Sequence, residues 1–210
     1  MLRGRVLVLK KDIDGARAQF QKALAIDKVY FPAVAGLAAL DVAANKPAQA
    51  RQHFDDLIKA APQNVPAKQA LAALLTRTGH TGDEVAKLLT EAVKLQPNDV
   101  RSQLMLINFH LERRDAKLAI TAAREASQVL VDHPEILMAL GRAYLAANDM
   151  QQAVTTFNRL AVTQPNSPQP HLGLADANLA LNDRATAARN LQRALELEPR
   201  LLQARRGLVA

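Results

Sequence analysis

Catalysis would have to start from Ser102, Ser127 and Ser167, the five histidines and the adjacent Asp55 and Asp56. A serine nucleophile needs a base within reach and a strained turn, and none of the three stands in Gly-x-Ser-x-Gly. His53, His80, His110, His133 and His171 show neither i, i+4 pairing nor a neighbouring carboxylate pattern that would hold zinc. Asp55 and Asp56 cannot flank one scissile bond if helical, because consecutive side chains point about 100° apart. They read as a solvent-facing edge. Gly79 and Gly82 lack the strand–loop–helix context of a phosphate-binding loop and read as turn residues. The sequence therefore predicts no catalytic residue, no metal and no cofactor. His110 and His171 are expected to be half-buried packing residues, and His80 a solvated loop residue.

The elements that carry these residues must be helices. Hydrophobic residues make up 49% of the chain but aromatic ones only 3%, so the apolar material is mostly Ala, Leu and Val, a mixture that favours closely packed helices over sheets. No run approaches the roughly 20 apolar residues of a membrane span, and the first nine residues lead into Lys10 and Lys11 without a cleavage site. Cysteine is absent, which excludes disulfides and thiolate metal sites from these residues. The net charge of +7 comes from Lys and Arg scattered among Asp and Glu, the pattern of a solvated surface rather than a basic patch. Phe20, Phe54, Phe157 and Tyr144 fall at core positions, leaving too few rings to stack on bases. No nucleic-acid partner is expected.

Self-similarity sets the frame. The stretch Ala194-Leu195-Glu196-Leu197-Glu198-Pro199 matches Ala92-Val93-Lys94-Leu95-Gln96-Pro97, and Ala23-Leu24-Ala25-Ile26-Asp27 is a third copy. With Phe31, Val65, Val100, Pro134, Pro168 and Leu202 as first positions, the intervals are 34, 35, 34, 34 and 34. In this register position 20 reads Ala16, Ala50, Val85, Ala119, Ala153, Ala187, and position 24 reads Phe20, Phe54, Leu89, Ala123, Phe157, Leu191. These share a helical face with Ala23, Leu57, Ala92, Ala126, Leu160 and Ala194 at position 27. Pro62, Pro97, Pro165 and Pro199 end the second helix of a hairpin, whereas Lys28 and Val131 stand in their place in the other two units and predict less sharply defined turns. At position 16, Asp12, Thr81, Asp115, Asp149 and Asp183 can each cap a helix, and Lys46 cannot.

The period and the residues Leu140-Gly141, Tyr144, Ala153, Phe157 and Pro165 resemble the tetratricopeptide repeat (TPR) family. The resemblance covers the chain. It departs from the pattern at position 4, where Val34, Lys68, Gln103, Leu137 and His171 replace the usual Trp. It implies an all-α, right-handed superhelical solenoid of antiparallel hairpins. The chain would be one array: a partial repeat at 1–30, repeats at 31–64, 65–99, 100–133, 134–167 and 168–201, and a partial repeat at 202–210. Both ends fall inside a helix in this register, with Leu202, Leu208 and Val209 apolar at the last one, as expected of a stretch of a longer array.

The resemblance also implies where a partner sits. Its inward stripe, positions 2, 5, 9 and 12, places Gln69, Arg101, Leu104, Asn108, Met138, Arg142 and Asp176 along a groove, with Arg77 and Met105 beside it. That surface suits a protein or peptide segment giving apolar area and hydrogen bonds, with Arg101 and Arg142 to fork a carboxylate. The alternative is a structural spacer or self-assembling rod with end-to-end contacts. Finer wording, in Pro97–Leu104, Gly141–Asp149 and Gln164–Pro168, resembles the repeat lipoproteins of bacterial exosortase and PEP-CTERM systems. That likeness implies a periplasmic or cell-envelope location within a longer lipid-anchored protein, with a cytoplasmic one as the alternative, and a role in exopolysaccharide export or surface sorting.

Overall fold

The computed structural model describes residues 2–79 and 82–209, Val209 by its backbone only. The expectations for His80 and Thr81 lie outside those residues. Thirteen helices and no strands occur among the described residues: α1 (Leu2–Leu9), α2 (Ile13–Ile26), α3 (Phe31–Ala43), α4 (Pro47–Ala60), α5 (Val65–Arg77), α6 (Asp83–Leu95), α7 (Val100–Glu112), α8 (Ala116–Val129), α9 (Pro134–Ala146), α10 (Met150–Thr163), α11 (Gln169–Ala180), α12 (Arg184–Leu197) and α13 (Leu202–Val209). They form two compact units, residues 1–96 with α1 to α6 and residues 97–210 with α7 to α13. Within each unit every helix packs on its sequence neighbours, and first helices of hairpins also meet across one intervening helix, α3 with α5, α7 with α9 and α9 with α11. This is the all-α helical-repeat solenoid fold.

The hairpin turn repeats one conformation. Lys11, Asn45, Gly79, Arg114, Asn148 and Asn182 all have φ between 57° and 82°, the left-handed region that favours Gly and Asn. In every turn but that of Gly79 the next residue is the N-cap of the second helix. Asp12, Asp115, Asp149 and Asp183 accept the backbone N–H of Gly15, Leu118, Gln152 and Thr186, satisfying donors left open in the first turn. Lys46 makes no such bond, and Pro47 removes a donor instead. Before α6 the cap is Gly82, one residue after the expected Thr81, and the helix starts on Asp83. The turns without proline close as the others do: Tyr30 N–H donates to the Asp27 carbonyl and His133 N–H to that of Leu130. Asp132 adopts φ 55°, which winds the second of them without a ring to fix it.

Side-chain volume is traded at each joint. The Phe157 ring lies between Gly141 of α9 and Gly173 of α11, so close that a Cβ would come within 2.5 Å and 2.6 Å of ring carbons. Phe20 lies the same way between Gly4 of α1 and Gly36 of α3, at 2.6 and 2.7 Å. At the equivalent joint of α7, α8 and α9 the exchange runs the other way: Ile107 is large and Ala123 small, and both are 0% exposed. Close packing is thus kept while the side chain that supplies the volume changes. Ala16, Ala50, Ala119, Ala153 and Ala187 are likewise fully buried.

Candidate functional site

In the second unit, α7, α9 and α11 each place one face along a shared groove. Two shallow depressions of about 280 Å³ occupy it. Leu104 and Asn108 of α7 line the first with Met138 and Arg142 of α9, which also line the second with Leu172 and Asp176 of α11. Residues four apart on α9 stack on one face of that helix, which is why Met138 and Arg142 belong to both. Arg142 and Asp176 are solvent-exposed, and the described residues give neither a hydrogen bond nor an ion pair. Desolvation by the surrounding wall pushes the Asp176 carboxyl above its ordinary value, with no cation to counter it. In the first unit Arg77 of α5 stands at the edge of an apolar depression walled by Ala38 and Val42 of α3, Phe54 of α4 and Ala73 of α5.

The expected stripe is thus brought together in part. Leu104, Asn108, Met138, Arg142 and Asp176 line the groove of the second unit, and Arg77 a depression of the first. Arg101 is exposed and Met105 half-buried on α7, but neither lies on the walls of the two depressions. Gln69 is only 5% exposed, buried in the packing of α5, and lies on the walls of none of these depressions.

Two charge clusters were not legible in the sequence. The Asp41 carboxylate of α3, 1% exposed, accepts from Arg17 Nη2 of α2 at 2.7 Å and lies 2.8 Å from His53 Nε2 of α4. Burial alone would raise its pKa, but the hydrogen bonds and charges of Arg17 and His53 outweigh burial and hold it below the ordinary value. Lys68 fills the position of the missing Trp with its alkyl stem, and its Nζ meets Glu91 Oε2 at 2.5 Å. That bond, ahead of the opposing cost of burial, keeps the Glu91 carboxyl low. At the same position Gln103 donates to the Pro97 carbonyl at 2.8 Å, and His171 Nδ1 lies 3.5 Å from Asn190 Oδ1. His110 is half-buried edge-on to Phe109, where burial lowers its pKa. Asp55 and Asp56 pair with Arg51 and Gln52 of their own helix. Among the described residues no three His, Cys, Asp or Glu gather as metal ligands, and no helix is long and apolar enough to cross a membrane.

Comparison places this architecture. The chain resembles the crystal structure of YrrB, a TPR protein with an unusual peptide-binding site, with a TM-score of 0.69 at 15% identity, covering 91% of this chain and 98% of that one. It resembles MamA from Desulfovibrio magneticus RS-1, residue 41 to the end, with a TM-score of 0.68 at 16% identity, over 84% and 98% of the two chains. Against the Cut9–Hcn1 hetero-tetramer of the APC/C the TM-score is 0.62 at 18% identity, over 98% of this chain and 40% of that one. No curated protein sequence matches. The sequence profile described as the tetratricopeptide repeat protein 21 second ARM domain matches residues 1–205, and the chain belongs to that family of TPR-like helical repeats.

Proposed function

We propose that this chain is a non-catalytic scaffold that binds a protein segment in the groove formed by α7, α9 and α11. The observation that carries this is Arg142: an unpaired guanidinium shared by two adjoining depressions whose other walls are Met138, Leu104 and Leu172. A fork donor flanked by apolar walls suits a carboxylate on an otherwise apolar segment. YrrB, with its described peptide-binding site, supports the same use of this fold. Arg101, expected to act with Arg142, becomes a peripheral contact. Peptides selected from a random display library on the intact chain should lose about tenfold in affinity on Arg142→Ala, as expected for one charge-assisted bond, and little on Arg101→Ala. Failure to select any peptide, or equal binding by Arg142→Ala, overturns the reading.

The array reading with repeats from 31, 65, 100, 134 and 168 is part of this proposal. It is supported by the starts of α3, α5, α7, α9 and α13 on Phe31, Val65, Val100, Pro134 and Leu202. The envelope role in polymer export or surface sorting rests on the likeness of the three stretches named above; fractionation of the native cells tests it. A spacer or self-assembling rod is favoured instead by the apolar exposure of Leu202 at 65% and Leu208 at 39% on α13. Sedimentation over a concentration series separates the two, since a rod associates with no peptide present.

A further inference from the structure

α1 carries apolar side chains on two faces, and the fold uses one of them. Gly4 faces the Phe20 ring of α2, where a Cβ would come within 2.6 Å, and Leu7 packs on the same cluster. On the other side Leu2, Val6 and Leu9, four and three residues apart, form a stripe that is 81%, 46% and 84% exposed. A helix that is apolar on both sides is built for two partners, and α2 is the first.

The charges beside the stripe are all of one sign. Residues 2–11 contain Arg3, Arg5, Lys10 and Lys11 and no Asp or Glu. All four are exposed, and none has a side-chain hydrogen bond or ion pair among the described residues. With 3.6 residues per turn Arg5 falls to one side of the stripe and Arg3 to the other, while Lys10 and Lys11 stand in the turn that ends the helix.

Another hairpin of the array is a poor fit for this face. Arg3 stands one period before Leu37 of α3, which is 3% exposed and clusters with Ala16 and Phe20 of the hairpin before it. In the second unit Leu140 and Leu174 hold the same repeat position and are buried. A hairpin seated on α1 in that way would have to bury an unpaired guanidinium. A second copy fits no better: α1 against α1 doubles the like charge, and the exposed leucines of α13 are accompanied by Arg205 and Arg206. None of the depressions described above is lined by α1, so the face offers a protein's anchoring side chain no pocket. A lipid surface needs none. It takes apolar side chains at the acyl boundary and lets long cationic stems reach back to its headgroups.

We propose that the outer face of α1 docks on a membrane surface that contains anionic lipid. The helix would lie in the interfacial plane, with Leu2, Val6 and Leu9 inserted and Arg3, Arg5, Lys10 and Lys11 on the lipid phosphates. The site is independent of the groove, so its failure would leave the segment-binding reading standing.

Flotation of the intact chain with vesicles of phosphatidylglycerol and phosphatidylcholine in equal parts tests it, with phosphatidylcholine alone as the neutral surface. Binding to the anionic vesicles is expected to be at least about tenfold tighter than to the neutral ones and to weaken with added salt. Arg5→Glu with Lys10→Glu should weaken it at least about tenfold, and Leu2→Ser with Leu9→Ser should also weaken it. Arg184→Glu with Arg206→Glu makes the same change of net charge at exposed positions of the second unit and should leave binding unchanged. Helical circular dichroism should be the same for every variant, since each change is at an exposed position. Absence of binding to anionic vesicles, an equal loss in the second-unit variant, or unaltered binding in the Leu2→Ser, Leu9→Ser chain would each overturn the proposal. So would a lipid-free oligomer, seen by sedimentation, that the two serine changes dissociate, because a second copy would then be what covers the face.

Discussion

Replacing Gly141 by Ala sets two physical effects against each other. Gly141 is interior to α9, and Ala is preferred over Gly in a helix interior by about 1 kcal/mol, so local propensity predicts a gain in stability. Packing predicts the reverse. The new Cβ would lie 2.5 Å from Phe157 Cε1 and 2.6 Å from Cζ, while the other side of the ring is closed by Gly173, whose own Cβ position is 2.6 Å away. The ring, 1% exposed, has no free direction in which to retreat. Overpacking of this kind costs about 1–3 kcal/mol, and with both faces of the ring blocked the upper half of that range applies. Subtracting the propensity gain leaves a net loss of about 1–2 kcal/mol.

The assay is guanidinium denaturation followed by helical circular dichroism, with Gly82→Ala as the control, since a Cβ at Gly82 meets nothing within 4 Å. The midpoint of Gly141→Ala should fall and that of the control should not. Phe157→Leu should cost stability alone yet cost less in the Gly141→Ala background, a coupling of about 0.5–3 kcal/mol between touching residues. If Gly141→Ala raises stability, or the two changes add independently, the ring does not sit between the glycines and the joint has been misread.

The reversed joint predicts that Ala123→Phe alone destabilises by about 1–3 kcal/mol and that Ile107→Gly in the same chain recovers much of it, measured in the same way. At the hairpin turn, Arg114→Gly relieves a left-handed residue and should leave stability unchanged or raise it by up to about 1 kcal/mol, whereas Gly79→Ala, at φ 82°, should lower it. Asp41 has a folded pKa below its unfolded value, so its contribution is present above the unfolded carboxylate range and is lost as pH falls through the folded pKa. The first unit of wild type should therefore soften at acid pH more steeply than that of Asp41→Asn, which should be less stable at neutral pH by about 1–3 kcal/mol. Asp176 has the opposite sign: its raised pKa means folding is penalised once the carboxyl ionises, so Asp176→Asn should be slightly more stable at neutral pH and indistinguishable once both states are protonated, by thermal melts across pH.

Periodicity was legible because each repeat must bury the same face. Small residues at Ala16, Ala119 and Ala153 and aromatic ones at Phe20 and Phe157 mark that face in the sequence, and all are buried. The cap at Gly82 was misplaced by one residue because an insertion in a turn has no packing consequence to fix its position. Gln69 was assigned to the groove by its place in the repeat, but its surroundings in α5 bury it: position sets direction, and neighbouring side chains decide exposure. The Arg17–Asp41–His53 cluster was invisible because its members lie 24 and 12 residues apart on three helices, a separation with no local signature.

The distribution of paired charge separates the framework from the proposed groove. Inside the hairpins charge is matched where it is buried: Asp41 holds Arg17 and His53, and Lys68 holds Glu91. Such pairs are costly to break and gain little over apolar packing, so they are terms of the fold. Arg142 and Asp176 are placed with the same backbone regularity but are left without partners among the described residues, and desolvation raises the Asp176 carboxyl. A repeat that pairs its buried charges and leaves these open is not short of counter-charges, since both signs are scattered over its surface. The open charges line a groove with apolar walls, where a partner segment that brings a carboxylate to Arg142 and a cation to Asp176 would complete both pairs while covering Met138 and Leu172. Those two charges therefore predict the polarity of the segment, and reversing both signs together should select peptides of reversed charge order.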